Sequence, residues 1–436
     1  MGSDQAEISI IFLLTYSMHK NIVDDLDLRE YFVPPDSKTR SKASYNYALE
    51  GLRGLAAIWV VYAHVFGFKY ELDPGYHPTF PFQHYFHAAH GGVLIFFVLS
   101  GYVIGLTNQA PFSRANAIRY LLRRFIRLYP IYLFCIILAV LASPHDTWKT
   151  VLGNLFFLQG SVSALLSGNG VLWTLHYEVI YYFAFLAIWY FRPKILPLVW
   201  STFIVACLGW FIPSFPQLIS GYAAGLLFWL FGLWLAWNRQ EVRDPPKVPL
   251  FTYLLLFIAT DRLGTVKFIL DSLGLARSSS SEINLTDITY FPICAILFTA
   301  VANYPFPGWR VLKLWAIGVP LAHSSYLLAI GNLFEPITWS IAVHTVLAVA
   351  LIRWRIESKT IAVFAFIGSI SYGIYVLHMP IMHLVSNYFP WSGSPWSFTL
   401  RLVVWGALTI GLSYWLELTI QPILKRWFQK SVLDRI

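Results

Sequence analysis

The chain reads as a succession of long apolar stretches divided by short polar ones. Mostly apolar runs occupy about 49–68, 90–108, 127–143, 171–190, 195–212, 221–237, 249–264, 288–304, 314–331, 335–353, 361–386 and 398–420. Most of them match the ~17–25 residues that a helix needs to cross the hydrocarbon of a bilayer. Helices satisfy their own backbone hydrogen bonds there without closing a barrel, so the predicted fold class is all-α: a polytopic transmembrane bundle of about 10–12 spans. The runs 314–331 and 335–353 contain His323, Glu335 and His344 and also fit one re-entrant hairpin, which leaves the span count open at that point.

The polar boundaries carry a second pattern. Arg114, Arg119, Arg123, Arg124 and Arg127 lie between the second and third runs. Cations then recur at every second boundary: Arg192 and Lys194, Arg239, Arg243 and Lys247, Arg310 and Lys313, Arg353, Arg355 and Lys359, and finally Lys425, Arg426 and Lys430. The alternate loops, Glu71 to His90, Pro213 to Ser220 and Pro390 to Pro395, are poor in Lys and Arg; the connection 265–287 is less tidy, with Lys267 and Arg277 offset by Asp271, Glu282 and Asp287. Because Lys and Arg gather on the cytoplasmic side of membrane proteins, this alternation predicts both termini in the cytoplasm. Residues 1–44 read as a polar cytosolic N-terminal extension, 45–425 as one transmembrane domain and 426–436 as a short cytosolic tail, with no soluble appendage expected. The apolar stretch Ile8 to Leu14 is too short to span, and Asp4 and Glu7 stand where a secretory signal would carry basic residues.

Composition agrees with a membrane protein and narrows the partners. Of 436 residues, 57% are hydrophobic, 18% aromatic and 12% charged, too apolar for a soluble domain. The 18 Trp and 25 Tyr suit the aromatic belts at membrane interfaces. The net charge of +9 is scattered through inter-span loops, which fits juxtamembrane anchoring and not a nucleic-acid surface. Cys135, Cys207 and Cys294 are widely spaced inside apolar runs, a pattern that offers neither a disulfide framework nor a metal site.

Ionisable residues inside the runs are the candidates for chemistry. An Arg at mid-helix costs at least ~2.5–3.5 kcal/mol in hydrocarbon, so such groups face a protein interior or a wet cavity. Arg53 and His64 share the first run with ten residues between them. On a helix, eleven steps make roughly three turns and a rise of about 16 Å, which sets both on one face. A neutral imidazole takes a proton from a hydroxyl near pH 7, so His64 is a candidate base, with an interhelical hydrogen bond as the structural alternative. Arg53 either receives an anionic ligand or snorkels to lipid phosphate. Arg123, Arg124 and Arg127 are three and four apart, so two or three guanidiniums converge on one helix face, an arrangement that suits phosphate or plain membrane anchoring. Glu178, in Trp173-Thr-Leu-His-Tyr-Glu178, is a carboxylate in the first half of a span that orients a His, acts as a base or pairs with an Arg. His77, His84, His87 and His90 crowd one loop without the mixed ligand spacing typical of zinc sites, so no metal is expected. His378 and His383, five apart, read as structural.

Several segments together resemble the acyltransferase 3 family, whose members O-acylate sugars and other hydroxyl compounds at membranes. They are Gly51-Leu-Arg-Gly-Leu-Ala-Ala with His64 at the Arg-ten-residues-His spacing, and Gly91-Gly-Val-Leu-Ile-Phe-Phe-Val-Leu-Ser-Gly101-Tyr. Arg124-Phe-Ile-Arg127-Leu-Tyr-Pro, Trp173-Thr-Leu-His-Tyr-Glu178 and Ile367-Gly-Ser-Ile-Ser-Tyr-Gly-Ile-Tyr-Val-Leu-His378-Met-Pro follow in the family's order. The match covers roughly residues 45 to 425. It departs from the family at Val179, where many members have a second Glu, and at Glu417-Leu-Thr-Ile-Gln-Pro422, where the family often has a Glu directly before Pro. The family core is usually described with ten helices, fewer than the runs counted here.

The resemblance implies transfer of an acyl group, commonly acetyl, from acyl-CoA to a hydroxyl of a carbohydrate or other membrane-associated acceptor. Arg124 and Arg127, with Arg53, are then expected to bind the donor's phosphates, His64 to deprotonate the acceptor, and Glu178 to orient or charge-balance His64 or an Arg. Ser100, Trp173 and Tyr372 supply possible oxyanion donors. The implied partners are acyl-CoA as donor substrate with no tightly bound cofactor, a hydroxyl-bearing glycan or glycolipid, and the bilayer of the cell membrane. The competing class is a secondary transporter with an intramembrane Arg, His and Glu site, which inverted repeats or paired broken helices would mark; neither is visible in the chain.

Overall fold

Each of the twelve apolar runs contains helix in a computed structural model of the chain, which describes residues 46–68, 71–79, 89–238, 247–275, 277, 279, 281–304, 308–331 and 336–432. The helices are α1 (Tyr47–Tyr62), which continues as a π turn over Ala63–Gly67, α2 (Ala89–Thr107), α3 (Arg114–Ala142), α4 (Trp148–Leu155), α5 (Trp173–Phe191), α6 (Ile195–Phe211) and α7 (Gln217–Trp237). They continue with α8 (Leu250–Leu263), α9 (Thr265–Ser272), α10 (Phe291–Ala302), α11 (Trp309–Ala329), α12 (Pro336–Ala350), α13 (Ala365–Ser369) and α14 (Ser371–Tyr388). Last come α15 (Pro395–Tyr414), a π turn over Trp415–Ile420 and α16 (Gln421–Ser431). Among the described residues the strands are a single antiparallel pair, β1 (Lys247–Val248) with β2 (Ile356–Glu357). The segment 1–45, with Ile8 to Leu14, and the residues His84, His87, Arg239, Arg243, Ser278 and Glu335 lie outside the described residues.

The protein is a polytopic helical bundle, as the apolar runs require. By length and composition, 8 helical segments among the described residues can cross a membrane, or 9 if the pair Ser358–Ser369 and Ser371–Tyr388, bent by 55°, forms one span. Ile195–Phe211 and Ile341–Ala350 are apolar but shorter. Trp309–Ala329 is long enough to cross by itself, so the first of the two runs 314–331 and 335–353, extended back to Trp309, forms one span-length helix. Apolar side chains point outward as well as inward: Leu133, Ile137 and Leu141 make an exposed stripe on α3 at every fourth residue. In water such a stripe would be unfavourable; against lipid tails it is the expected surface.

Helix contacts in lipid draw on close backbone approach because burial of apolar surface supplies little driving force there. The first family-like segment owes its glycines to this. A Cβ on Gly51 would stand 2.0 Å from the Ile361 carbonyl oxygen, one on Gly54 2.2 Å from the Phe364 oxygen, and one on Gly368 2.0 Å from the Glu50 oxygen. α1 therefore lies directly against the backbone of Ser358–Ser369, which fixes the height at which Arg53 enters the bundle.

Prolines set the breaks. Pro380 in α14 has no N–H for the carbonyl of Val376, four residues back. That carbonyl instead accepts from Asn169 Nδ2 at 2.8 Å and from the Cys135 thiol at 3.0 Å. The three cysteines are free thiols, and Cys135 is buried as part of this repair. Pro422 follows the π turn at Trp415–Ile420, a register in which the missing N–H and the ring's clash with the preceding turn are accommodated.

Gly54→Val is expected to lower the thermal unfolding midpoint in detergent strongly, since overpacking costs about 1–3 kcal/mol and here the obstruction is backbone. Gly406→Ala, where no atom lies within 4 Å of the added methyl, is expected to be neutral or stabilising by up to ~1 kcal/mol. Equal midpoints for the two variants in differential scanning fluorimetry would contradict the close contact.

Candidate functional site: an arginine-lined cavity

A cavity of about 90 Å³ opens between α1, α2, α3, α5 and α14, and Arg53, Arg124, Arg127, Glu178, Tyr182 and Tyr375 are in its wall. Four of the five residues singled out from the sequence thus meet in one place. Three guanidiniums face it against the carboxylate of Glu178, an excess of positive charge inside an apolar bundle.

Each group is held by its own helix. Arg53, nearly two turns into α1, bonds Glu50 Oε1 through Nη1 at 2.8 Å. Arg124 lies over the rings of Tyr120 and Tyr182, 5.6 and 5.7 Å from their centroids, and donates through Nη2 to Thr107 Oγ1 at 3.3 Å. Its Nε is buried without a hydrogen-bond partner. A buried guanidinium with an unused donor beside a cavity is suited to an anionic or carbonyl oxygen entering from that cavity. Arg127 is anchored through its own backbone, whose carbonyl accepts from Gln421 Nε2 on α16. Tyr182 donates to Glu178 Oε1 at 2.5 Å, which aligns the carboxylate one turn below the phenol. Ser100 and Tyr372 also border the cavity, with the Tyr372 hydroxyl committed to the Leu128 carbonyl at 3.0 Å.

The arginines do not stand in a loop before the third span. α3 begins at Arg114, with Ser113 capping it through Asn116 N–H at 3.1 Å, so Arg119 to Arg127 are mid-helix. Arg and Leu are good helix formers, and the helix extends well beyond the apolar stretch. Arg123 is exposed and outside the cavity wall, so two of the three clustered guanidiniums converge.

His64 is set apart from the other four. It sits in the π turn at the far end of α1, about 16 Å along the helix from Arg53. Its Nδ1 is 2.8 Å from the Val60 carbonyl. A carbonyl accepts, so in the neutral ring Nδ1 carries the proton and Nε2 keeps the lone pair, the arrangement a base needs. The ring lies beside that of His378, with centroids 5.0 Å apart. His378 in turn is 6.1 Å from Tyr375, whose ring borders the cavity, so one aromatic side chain separates the two places. His378 was expected to be structural, and its Nδ1 does bond its own helix, at Tyr375 O (2.7 Å) and Ile374 O (3.1 Å). Its place next to His64 goes beyond that expectation.

Other candidates fall elsewhere. His90 is in the first turn of α2 and stands 3.0 Å from Asp287. Among the described residues no three His, Cys, Asp or Glu side chains group as metal ligands. His383 Nδ1 is 3.9 Å from Glu71. Glu417 accepts from the Gly373 N–H at 2.6 Å, tying the π turn before Pro422 to the start of α14.

Sequence reasoning missed the clasp that holds the segment following His64. Asp73, fully buried, accepts from Ser392 Oγ (2.5 Å), Ser397 Oγ (2.7 Å), Gly75 N (3.0 Å) and Gly393 N (3.1 Å). Arg401 Nε lies 3.8 Å from it, and the same guanidinium donates to the carbonyls of Trp391, Leu72, Val385, Ser386 and Phe389. The available signal was Arg401 itself, an Arg inside an apolar run; nothing local pointed to Asp73 as its partner.

Three arginines and a glutamate thus share one cavity inside a multi-span helical bundle. An acyltransferase domain family matches residues 46–418. The chain belongs to the acyltransferase 3 family. It is 26% identical over 374 residues to the peptidoglycan O-acetyltransferase OatA of Listeria monocytogenes, an alignment covering 80% of this chain and 51% of that protein. The chain therefore spans about half the length of the curated relative it matches. No solved structure matches the chain.

The Asp73 clasp generates a pH dependence. Burial alone would raise this carboxyl's pKa, but the hydrogen bonds from Ser392, Ser397, Gly393 and Gly75 outweigh it and hold the group below the usual carboxylate range. A carboxylate depressed in the folded state adds stability above its unfolded pKa, near 3.9, and loses it as pH falls through the folded value. The unfolding midpoint in detergent is expected to be steady down to about pH 5 and to drop below about pH 4. Asp73→Asn is expected to lower the midpoint at pH 7 and to flatten the acid drop; an acid profile identical to wild type would assign the drop to other carboxylates.

Proposed function

We propose that the protein is a membrane O-acyltransferase that moves a short acyl group, in the first place acetyl, from acyl-CoA to a hydroxyl of a membrane-associated carbohydrate. The observation that carries this reading is the convergence of Arg53, Arg124 and Arg127 on one cavity of about 90 Å³. A single water needs about 10–15 Å³ of such space, so the cavity has room for a small group such as an acetyl thioester end. The family and the kind of acceptor named for the Listeria protein both support a glycan hydroxyl.

In this mechanism the guanidiniums bind the anionic donor, with the free Nε of Arg124 available to its oxygen atoms. Glu178 balances part of the arginine charge and stays aligned by Tyr182. The acceptor approaches from the His64 end. Its hydroxyl proton passes to His64 Nε2 as the oxygen attacks the thioester carbonyl; the C–S bond breaks, and the thiolate sulfur takes up a proton to leave as CoA thiol. In this reading the arginine end faces the cytoplasm, as the excess of Lys and Arg at alternate boundaries predicts and where acyl-CoA is available, and the His64 end faces the opposite side of the cell membrane.

Purified protein is expected to turn over acetyl-CoA when given a glycan acceptor, and His64→Ala to lose about 10²–10⁴-fold in kcat at an unchanged unfolding midpoint. Arg127→Ala is expected to raise KM for acetyl-CoA roughly 10–100-fold, the loss of one hydrogen bond to a charged group at ~1.5–3 kcal/mol. Folded wild-type protein that neither binds nor consumes acetyl-CoA would overturn the donor assignment, and full activity of His64→Ala would remove the base.

A further inference from the structure

The neighbour of His64 is itself chemically unfinished. His378 is fully buried, and its Nε2 has no hydrogen-bond partner. Buried polar atoms are nearly always paired, so an orphan beside a reactive group needs a reason. Both imidazoles are built alike: each Nδ1 is spent on a carbonyl of its own helix, at Val60 for His64 and at Tyr375 and Ile374 for His378. Each neutral ring is therefore left with a lone pair on Nε2, and the rings stand with centroids 5.0 Å apart and planes inclined by 59°. The backbone around His378 is fixed as well, since its carbonyl accepts from Trp405 Nε1 at 2.9 Å and the Val376 carbonyl is bound by Asn169 and Cys135.

We propose that His378 is a positioning residue for the acyl transfer: it accepts, at Nε2, the hydrogen that His64 gains from the acceptor hydroxyl. This rests on the reading of His64 as the base. The two Nε2 atoms make no hydrogen bond to each other in this arrangement, but the rings are neighbours, so a small turn of the protonated His64 ring would let it donate an N–H···N hydrogen bond to the unpartnered His378 Nε2. The pair thus binds the first proton more readily than either ring alone and resists a second, titrating as a unit. In the reaction the hydroxyl O–H breaks as the new O–C bond forms. The proton goes to His64 Nε2, is shared with His378 Nε2, and returns through His64 to the departing thiolate sulfur. No group outside the pair, the acceptor and the thioester is needed.

Other titratable or charged groups approach this end from the packed elements. They are Tyr375 and His383 on α14, Glu71 next to His383, Asp73 with Arg401 of α15, and Tyr132 and Cys135 on α3. Asp73 is saturated by its serine and backbone donors, and Cys135 by Val376 and Asn169. Glu71 and His383 form a separate pair, so a change confined to the His64 limb is distinguishable by a Glu71→Gln control.

His378→Asn is expected to lower kcat about 10–100-fold with KM for acetyl-CoA unchanged, in line with the lower part of general-base contributions. Without its partner the protonated form of His64 is less favoured, so the acid limb of the kcat profile is expected to move to lower pH. Glu71→Gln is expected to leave that limb in place. An unmoved acid limb, or a loss that follows the fraction of folded protein, would overturn the proposal. Nitrogen-15 NMR of histidine-labelled wild type in detergent, which needs no turnover, is expected to show one proton shared by two Nε2 atoms upon acidification. Two imidazoles titrating independently would also overturn it. If wild type binds no acyl-CoA but the shared proton is seen, the donor assignment fails and the pair stands.

Discussion

Hydrocarbon offers no hydrogen-bond partner, so every charge and every freed carbonyl in this bundle has to be answered by the chain itself. Arg401 shows how far the constraint reaches. Its guanidinium is 1% exposed, and it gathers five backbone carbonyls together with the Asp73 carboxylate. Those contacts draw the segment after the first span onto the turn before α15. The end of α1 that bears His64 is thereby held against α14, which bears His378. Removing either charge would strand the other in a buried place, which costs several kcal/mol more than the pair itself contributes.

The same rule shapes the backbone. The carbonyl orphaned by Pro380 is satisfied by Asn169 and Cys135 from two other parts of the chain, and this repair lies two residues from His378. The π turn at the end of α1 coincides with His64, whose Nδ1 takes the Val60 carbonyl. Irregular helix is tolerated in membranes where neighbours can supply the missing partners, and π turns are frequently found at functional sites. Here both irregular places converge on one pair of rings. Cys135, which the sequence alone could only describe as neither disulfide nor metal ligand, finds its role in that arrangement.

How much of this was legible follows from the range over which each feature is encoded. The helices are written locally, as apolar runs of the right length, and all twelve runs contain helix. The spacing of Arg124 and Arg127 and the family motif around Arg53 and Glu178 were enough to name four residues that share a cavity. The start of α3 at Arg114 was not legible from hydropathy, because a helix surface that leaves the hydrocarbon becomes polar without ceasing to be helical. Asp73 and Arg401 are partners across more than three hundred residues, and no local pattern joins them. His378 had an unremarkable spacing to His383; what gives it meaning is a neighbour on another helix.

The separation of the arginine cavity from the histidine pair is the feature that the mechanism has to answer. A cation cluster next to a base would stabilise the base's neutral form electrostatically but would also attract the anionic donor onto it. With the groups about 16 Å apart along α1, each can do its work without that conflict. In the proposed mechanism the charge of the donor is held where Arg53, Arg124 and Arg127 line the cavity, and the proton is handled at the neighbouring rings of His64 and His378. Tyr375 lines the cavity and lies beside His378, so in the proposed mechanism it stands between the bound donor and the histidine pair. Under the same proposal one continuous helical segment, bearing Arg53 and His64, sets the distance between the binding of charge and the transfer of a proton, and the glycine contact with Ser358–Ser369 fixes its height in the bundle.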